Sequence, residues 1–197
     1  MSATLRRRPP LATIAGLAAI VVGVTLAIVA YAYYPWAFSP AANWISDLGN
    51  TLLSPRGSVF FRLDMIAVGA VLAAFFVGLR AWGRGQHIAM KLLIAVGQLS
   101  GLVGAAALVM TGIFSENDYA AHAVWAVWFI GWAPVWHPDL PQKLTYLAFA
   151  VCAVDVASVV VRRHWLEWLA VGLLLSFVGA VALGTWSMSL SRISRDR

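Results

Sequence analysis

The chain has 197 residues, 61% of them hydrophobic and 11% charged, with a mean hydropathy of +0.81 and a formal net charge of +6. Soluble domains carry about 25% charged residues, so this composition excludes an ordinary soluble globular protein. It also excludes a disordered chain and, with Cys152 as the one cysteine, a disulfide scaffold.

Apolar runs between the charges predict six spans, at about residues 11–34, 59–79, 88–113, 120–136, 144–161 and 166–190. The runs are continuously apolar rather than alternating, which predicts helices and not membrane strands. Residues 1–197 therefore read as a single integral membrane domain, an all-α polytopic helix bundle.

The first span follows Arg6 to Arg8 and ends near Ala30-Tyr31-Ala32, a small-x-small pattern that imitates a signal cleavage site. The length of its apolar run and the belt-like Tyr33, Tyr34 and Trp36 favour an uncleaved helix. Ala15, Ala19, Gly23 and Ala27 form a stripe of small residues along it. Gly97, Gly101 and Ala105 form a second stripe in the third span, and Gly172, Ser176, Ala180 and Gly184 a third in the sixth. Such faces are expected to meet other helices of the chain.

With six spans the termini share a side. That side collects ten Lys and Arg residues, against Arg56, Arg62, Arg162 and Arg163 on the other, so the positive-inside rule places both termini in the cytoplasm. The positive charge is thereby assigned to topology, and no nucleic-acid partner is expected. Arg162-Arg163 is the one conflict. It leaves open a re-entrant fourth span or a count of five.

Six of the eight acids fall in the outer half: Asp47, Asp64, Glu116, Asp118, Asp155 and Glu167. Asp64 and Asp155 lie inside spans, roughly 8 and 10 Å below the outer ends. Intramembrane carboxyls are costly and face the bundle interior, paired or protonated. An Arg62 bridge to Asp155 would fix the second span against the fifth, and a proton or metal site is the functional alternative.

Two loop segments approach the same outer face, Asn43 to Asn50 and Gly112 to His122. Asn43, Ser46, Asp47, Glu116, Asp118 and His122 are their proton- or metal-binding side chains. Asp118 and His122, four apart, share a face if the fourth helix begins at Asp118, where the acid would also cap it. Carboxylates with one imidazole suit zinc or manganese chemistry, although the spacing is no metal motif. Trp125, Trp128, Trp132 and Trp136 form an aromatic stripe headed by His122, either packing or a groove for a lipid tail.

Ser46-Asp47-Leu48-Gly49, and Gly112-Ile113-Phe114 followed by an acid and His122, resemble the two signature segments of the domain of unknown function 998 family, prokaryotic six-helix membrane proteins. The resemblance covers roughly residues 40–125, with Ser115 where that family usually has proline. It implies that Ser46, Asp47, Gly49, Asp118 and His122 are recurring polar positions, and it implies no reaction.

Four functions compete. The first is an enzyme or binder of a lipid or lipid-linked envelope molecule, with Asp47, Asp118 and His122 as acid, base or metal ligands. The second is a structural or accessory protein that docks a partner. A proton-coupled transporter using Asp64 and Asp155 is the third. A haem carrier using His87, His122, His137 or His164 is the fourth, but these histidines align poorly. Twelve arginines against two lysines read as a GC-rich prokaryotic gene, hence a prokaryotic cell membrane.

Overall fold

A computed structural model describes residues 9–80, 87–118 and 142–195. Five long helices run through them: α1 (Leu11–Ala32), α2 (Gly57–Gly78), α3 (Ile88–Ile113), α4 (Gln142–Val161) and α5 (His164–Arg195), with a 3-10 turn at Ser46–Gly49 between α1 and α2. In hydrocarbon every backbone N–H and C=O must be paired within the chain, and a continuous apolar run meets that requirement as a helix. The 22 residues of α1 and of α2 each span about 33 Å, enough for a bilayer core of about 30 Å. Among the described residues four helices are long and apolar enough to cross a membrane: α1, α2, Ile94–Ile113 of α3 and His164–Ser189 of α5. In α4 the apolar part is shorter, Tyr146–Ser158. The expected fourth span, with His122, Trp125, Trp128, Trp132 and Trp136, lies outside the described residues.

Small residues set the helix spacing, as they must where lipid competes for every apolar contact. A Cβ added at Gly16 of α1 would stand 2.8 Å from Ala182 of α5 and 3.1 Å from the Phe75 ring of α2. Gly78, at the end of α2, lies against the backbone of Ala12, so α1 and α2 run antiparallel. Thr13 Oγ1 donates to the Ala182 carbonyl at 3.0 Å and ties α1 to α5. Phe75, Phe76, Leu72, Phe177 and Val181 fill the space between these contacts.

The stripe of the third span packs as its spacing implies. Gly101 receives the Phe76 ring, and Ala105 is buried against Gly69 of α2. The stripe of the sixth span does not. Among the described residues a Cβ at Gly172 or Gly184 would meet nothing within 4 Å, and Ser176 is exposed. The buried face of α5 runs instead through Ala170, Phe177, Val178, Val181, Ala182 and Thr185. The larger apolar side chains there bury more area than the small stripe could, and they decide the orientation.

Arg62 of α2 takes two backbone carbonyls of α3. Its Nε donates to Gly112 O at 2.9 Å and its Nη2 to Ile113 O at 3.0 Å, so the guanidinium closes the C-terminus of α3. The side chain of Asp155 lies outside the described ones. The last carbonyls of a helix lack intrahelical donors and carry partial negative charge, which makes them a competitive partner for arginine. Gln98 does the same for α2, donating from Nε2 to Phe76 O at 2.9 Å. Arg62→Ala is expected to lower unfolding stability by about 1–2 kcal/mol. Thermal unfolding in detergent measures this, and an unchanged midpoint would show that the cap carries no weight.

Candidate functional site

The end of the bundle where α1 stops and α2 starts carries a polar cluster built from three segments. The first is 43–51. Asp47 Oδ2 accepts the Trp44 backbone N–H at 3.0 Å and the Asn43 side-chain amide at 3.4 Å, which folds the segment into its 3-10 turn. Leu48 and Phe61 are buried beneath that turn with Ala30. The Phe61 ring lies so close to Gly49 that an added Cβ would sit 2.5 Å from it. Here glycine is required by close approach, and no polar function of Gly49 follows from its position.

The second segment is 114–118. Asn117 Oδ1 accepts from the backbone N–H of Thr51 at 2.9 Å and from its hydroxyl at 2.7 Å, and Asn117 Nδ2 donates to Asn50 Oδ1 at 3.2 Å. Asn50 in turn accepts the N–H groups of Leu52 and Leu53. Glu116 stands beside Asn50, Ser46 and Asp47, close enough for them to act on its carboxyl. Glu116 Oε2 is buried without a hydrogen-bond partner among the described residues.

The third is the first turn of α5. Glu167 Oε2 accepts the Ile45 N–H at 2.7 Å and also bonds Ser46, so a carboxylate from the far end of the sequence holds the turn. Trp168 Nε1 donates to Asn43 O at 3.1 Å, and the His164 ring packs edge-on against Trp44 with centroids 4.6 Å apart. α4 hands over to α5 through Arg162, whose φ of 53° is left-handed, the conformation that reverses a chain after a helix. That tight turn puts Arg162-Arg163 at the same end as the acids.

Below the cluster a cavity of about 930 Å³ opens between α1, α2 and α5. Its walls are mostly apolar: Ala19, Gly23 and Ala27 from α1, Val68 from α2, Leu174 and Leu175 from α5. The small-residue stripe of α1 therefore serves packing at its first half and leaves space at its second. Trp44, Ile45, Ser46, Glu116, Arg162 and Glu167 line the polar end. Asp64, 2% exposed, is on the wall, and its Oδ1 has no hydrogen-bond partner among the described residues. This oxygen faces Gly23, where an added Cβ would be 3.6 Å away.

The structure thus joins Asn43, Ser46, Asp47 and Glu116 in one cluster, with Arg62 capping α3 beside it. Asp118 is exposed, and the acid that reaches Asp47 from the second loop is Glu116. Among the described residues no three His, Cys, Asp or Glu side chains are placed to hold a metal ion, and His122 lies outside them. Sequence reasoning counted Glu167, Asn50 and Asn117 among the outer residues without giving them roles. The available signal for Glu167 was an acid in the first turn of a span, where free N–H groups attract carboxylates.

Burial pushes the Glu116 carboxyl above its ordinary 4.5, and the neighbouring Asp47 adds to this, while hydrogen bonds from Asn50 and Ser46 oppose it. The folded state therefore holds this proton more tightly than the unfolded chain. The group's penalty is absent below the unfolded value and grows as pH rises through the folded one. Glu116→Gln is expected to remove that part of the alkaline loss in stability. Unfolding midpoints of both proteins across pH 4 to 8 check it, and parallel curves would contradict it.

No family model and no solved structure matches the chain. It is similar to the iron(3+)-hydroxamate import system permease protein FhuG of Bacillus subtilis, 28% identical over 140 residues that cover 69% of this chain and 37% of that protein. The chain thus spans well under half the length of this relative. Four apolar helices of membrane length and a permease among the similar proteins identify the chain as a multi-pass integral membrane protein.

Proposed function

We propose that the protein binds a lipid or lipid-linked envelope molecule, with the apolar chain in the cavity between α1, α2 and α5 and the polar end at the Ser46, Glu116 and Glu167 cluster. The observation that carries this reading is the cavity itself. It has the volume of a small-molecule site, largely apolar walls and a few polar groups gathered at one end. Asp47 and Asn43 then shape the loop over the mouth, and Arg162 is the one cation on the wall among the described residues. In this reading six spans place both termini in the cytoplasm of a prokaryotic cell, and the cluster faces outward.

The test is saturable binding of a fluorescent single-chain lipid to purified protein, with Ala27→Trp as the variant that fills the cavity from α1. Wild type is expected to bind the probe, and the variant to weaken binding at least about tenfold while keeping its unfolding midpoint. Equal binding by a folded variant would place the probe elsewhere on the protein.

A second reading is that the chain moves its ligand across the membrane. The similarity to an import permease favours it, as does Asp64, because buried carboxyls mark substrate and ion pathways in membrane proteins. Proteoliposome uptake separates the two, since a binder without transport yields no flux.

A further inference from the structure

We infer that the amphiphile taken by the cavity carries a protonated amine, and that Asp64 is the group that pairs with it. The inference rests on the cavity being a ligand site and adds the chemistry of the ligand's polar group.

Among the described residues the cavity wall carries more carboxyl groups than cations. Three carboxyl groups among them, of Asp64, Glu116 and Glu167, line it against one guanidinium, of Arg162, which is exposed. Glu167 is occupied by the N–H groups at the start of the 3-10 turn. The Thr111 hydroxyl donates to its own helix, at Ala107 O. Asp64 Oδ1 and Glu116 Oε2 are left as buried oxygens with no donor among the described residues. A buried carboxylate is costly unless a donor or an opposite charge meets it. A donor carried by the occupant would meet this need, and an ammonium supplies three N–H groups together with the compensating charge.

Geometry agrees with this placement. Asp64 is on the wall about two turns below the start of α2, facing α1 where Gly23 has no side chain. Leucine or valine at position 23 would pack directly over the carboxyl, whereas glycine leaves no side chain between the buried Oδ1 and α1. An anionic head group at this depth would meet carboxyl groups on two sides and be repelled. A neutral hydroxyl would satisfy one oxygen and leave the charge uncompensated.

Displacement of the fluorescent single-chain lipid by dodecylamine, dodecanol and dodecanoate tests this on the wild-type protein in a neutral sugar detergent. Dodecylamine is expected to displace at about tenfold lower concentration than dodecanol, the difference a buried charge-assisted hydrogen bond makes, and dodecanoate to be weakest. Asp64→Asn is expected to erase the amine's advantage over dodecanol. Equal displacement by amine and alcohol in wild type overturns the assignment while the cavity reading stands. An amine advantage that survives in Asp64→Asn also overturns it. Should the variant not fold, the wild-type series alone decides. If no chain of any head group displaces the probe, the cavity reading fails instead, and the two failures are distinct.

Discussion

Gly69→Val is expected to destabilise the bundle by about 3 kcal/mol, at the upper end of overpacking effects. An added Cβ there would stand 2.8 Å from Ala105 O, 3.1 Å from Val109 N and 2.7 Å from Val109 Cγ2. Two of these three atoms are backbone, so no rotamer change can make room and α2 must move away from α3. The same shift would pull Arg62 from the end of α3 and Phe76 from its seat on Gly101. Gly172→Ala is the matched control, because no described residue lies within 4 Å of the added atom. Unfolding midpoints in detergent should fall for Gly69→Val and stay for Gly172→Ala. Equal midpoints would mean that close approach of α2 and α3 does not hold the bundle.

Glu167→Ala is the second large effect expected, again about 3 kcal/mol, and it acts on the loop over the cavity. The carboxylate accepts the Ile45 N–H at 2.7 Å and bonds Ser46. Removing it leaves partly buried N–H groups unpaired, each costing about 1–3 kcal/mol. Segment 43–50 should then loosen, with faster amide exchange at Ile45 and Ser46 and earlier proteolysis. Because Trp44, Ile45 and Ser46 line the cavity mouth, lipid-probe affinity should fall with it. Glu167→Gln keeps one acceptor oxygen and should recover most of the exchange protection. Slow exchange in Glu167→Ala would show that the turn stands on Asp47 alone.

The helices were legible in the sequence because a membrane helix must satisfy a length and an apolarity, and both are local properties of a run. The third span matches α3, Ile88–Ile113, at both ends, whereas the sixth extends to Arg195, since helix continues beyond its apolar part. Pairing was less legible. The carbonyls of Gly112 and Ile113 hold the Arg62 guanidinium, a partner the sequence does not announce because the charge of a helix terminus is invisible to a count of charged residues. On α5 the glycine spacing pointed to one face and Phe177 and Val181 determined another. The closeness of segments 43–51 and 114–118 reflects polar loops confined to one end of the bundle. Which acid reaches Asp47 depended on a turn at 115–118 that leaves Asp118 exposed. The cavity had no local signature at all. It arises where Ala19, Gly23 and Ala27 of α1 face side chains of α2 and α5 without filling the space between them.

Native mass spectrometry of the protein released from membrane particles that were never exposed to added lipid probe measures occupancy most directly. The account predicts one amphiphile retained per chain in wild type and a bare chain in the folded Ala27→Trp variant. Wild type that is bare under the gentlest release, or a variant that retains the same species, would contradict it.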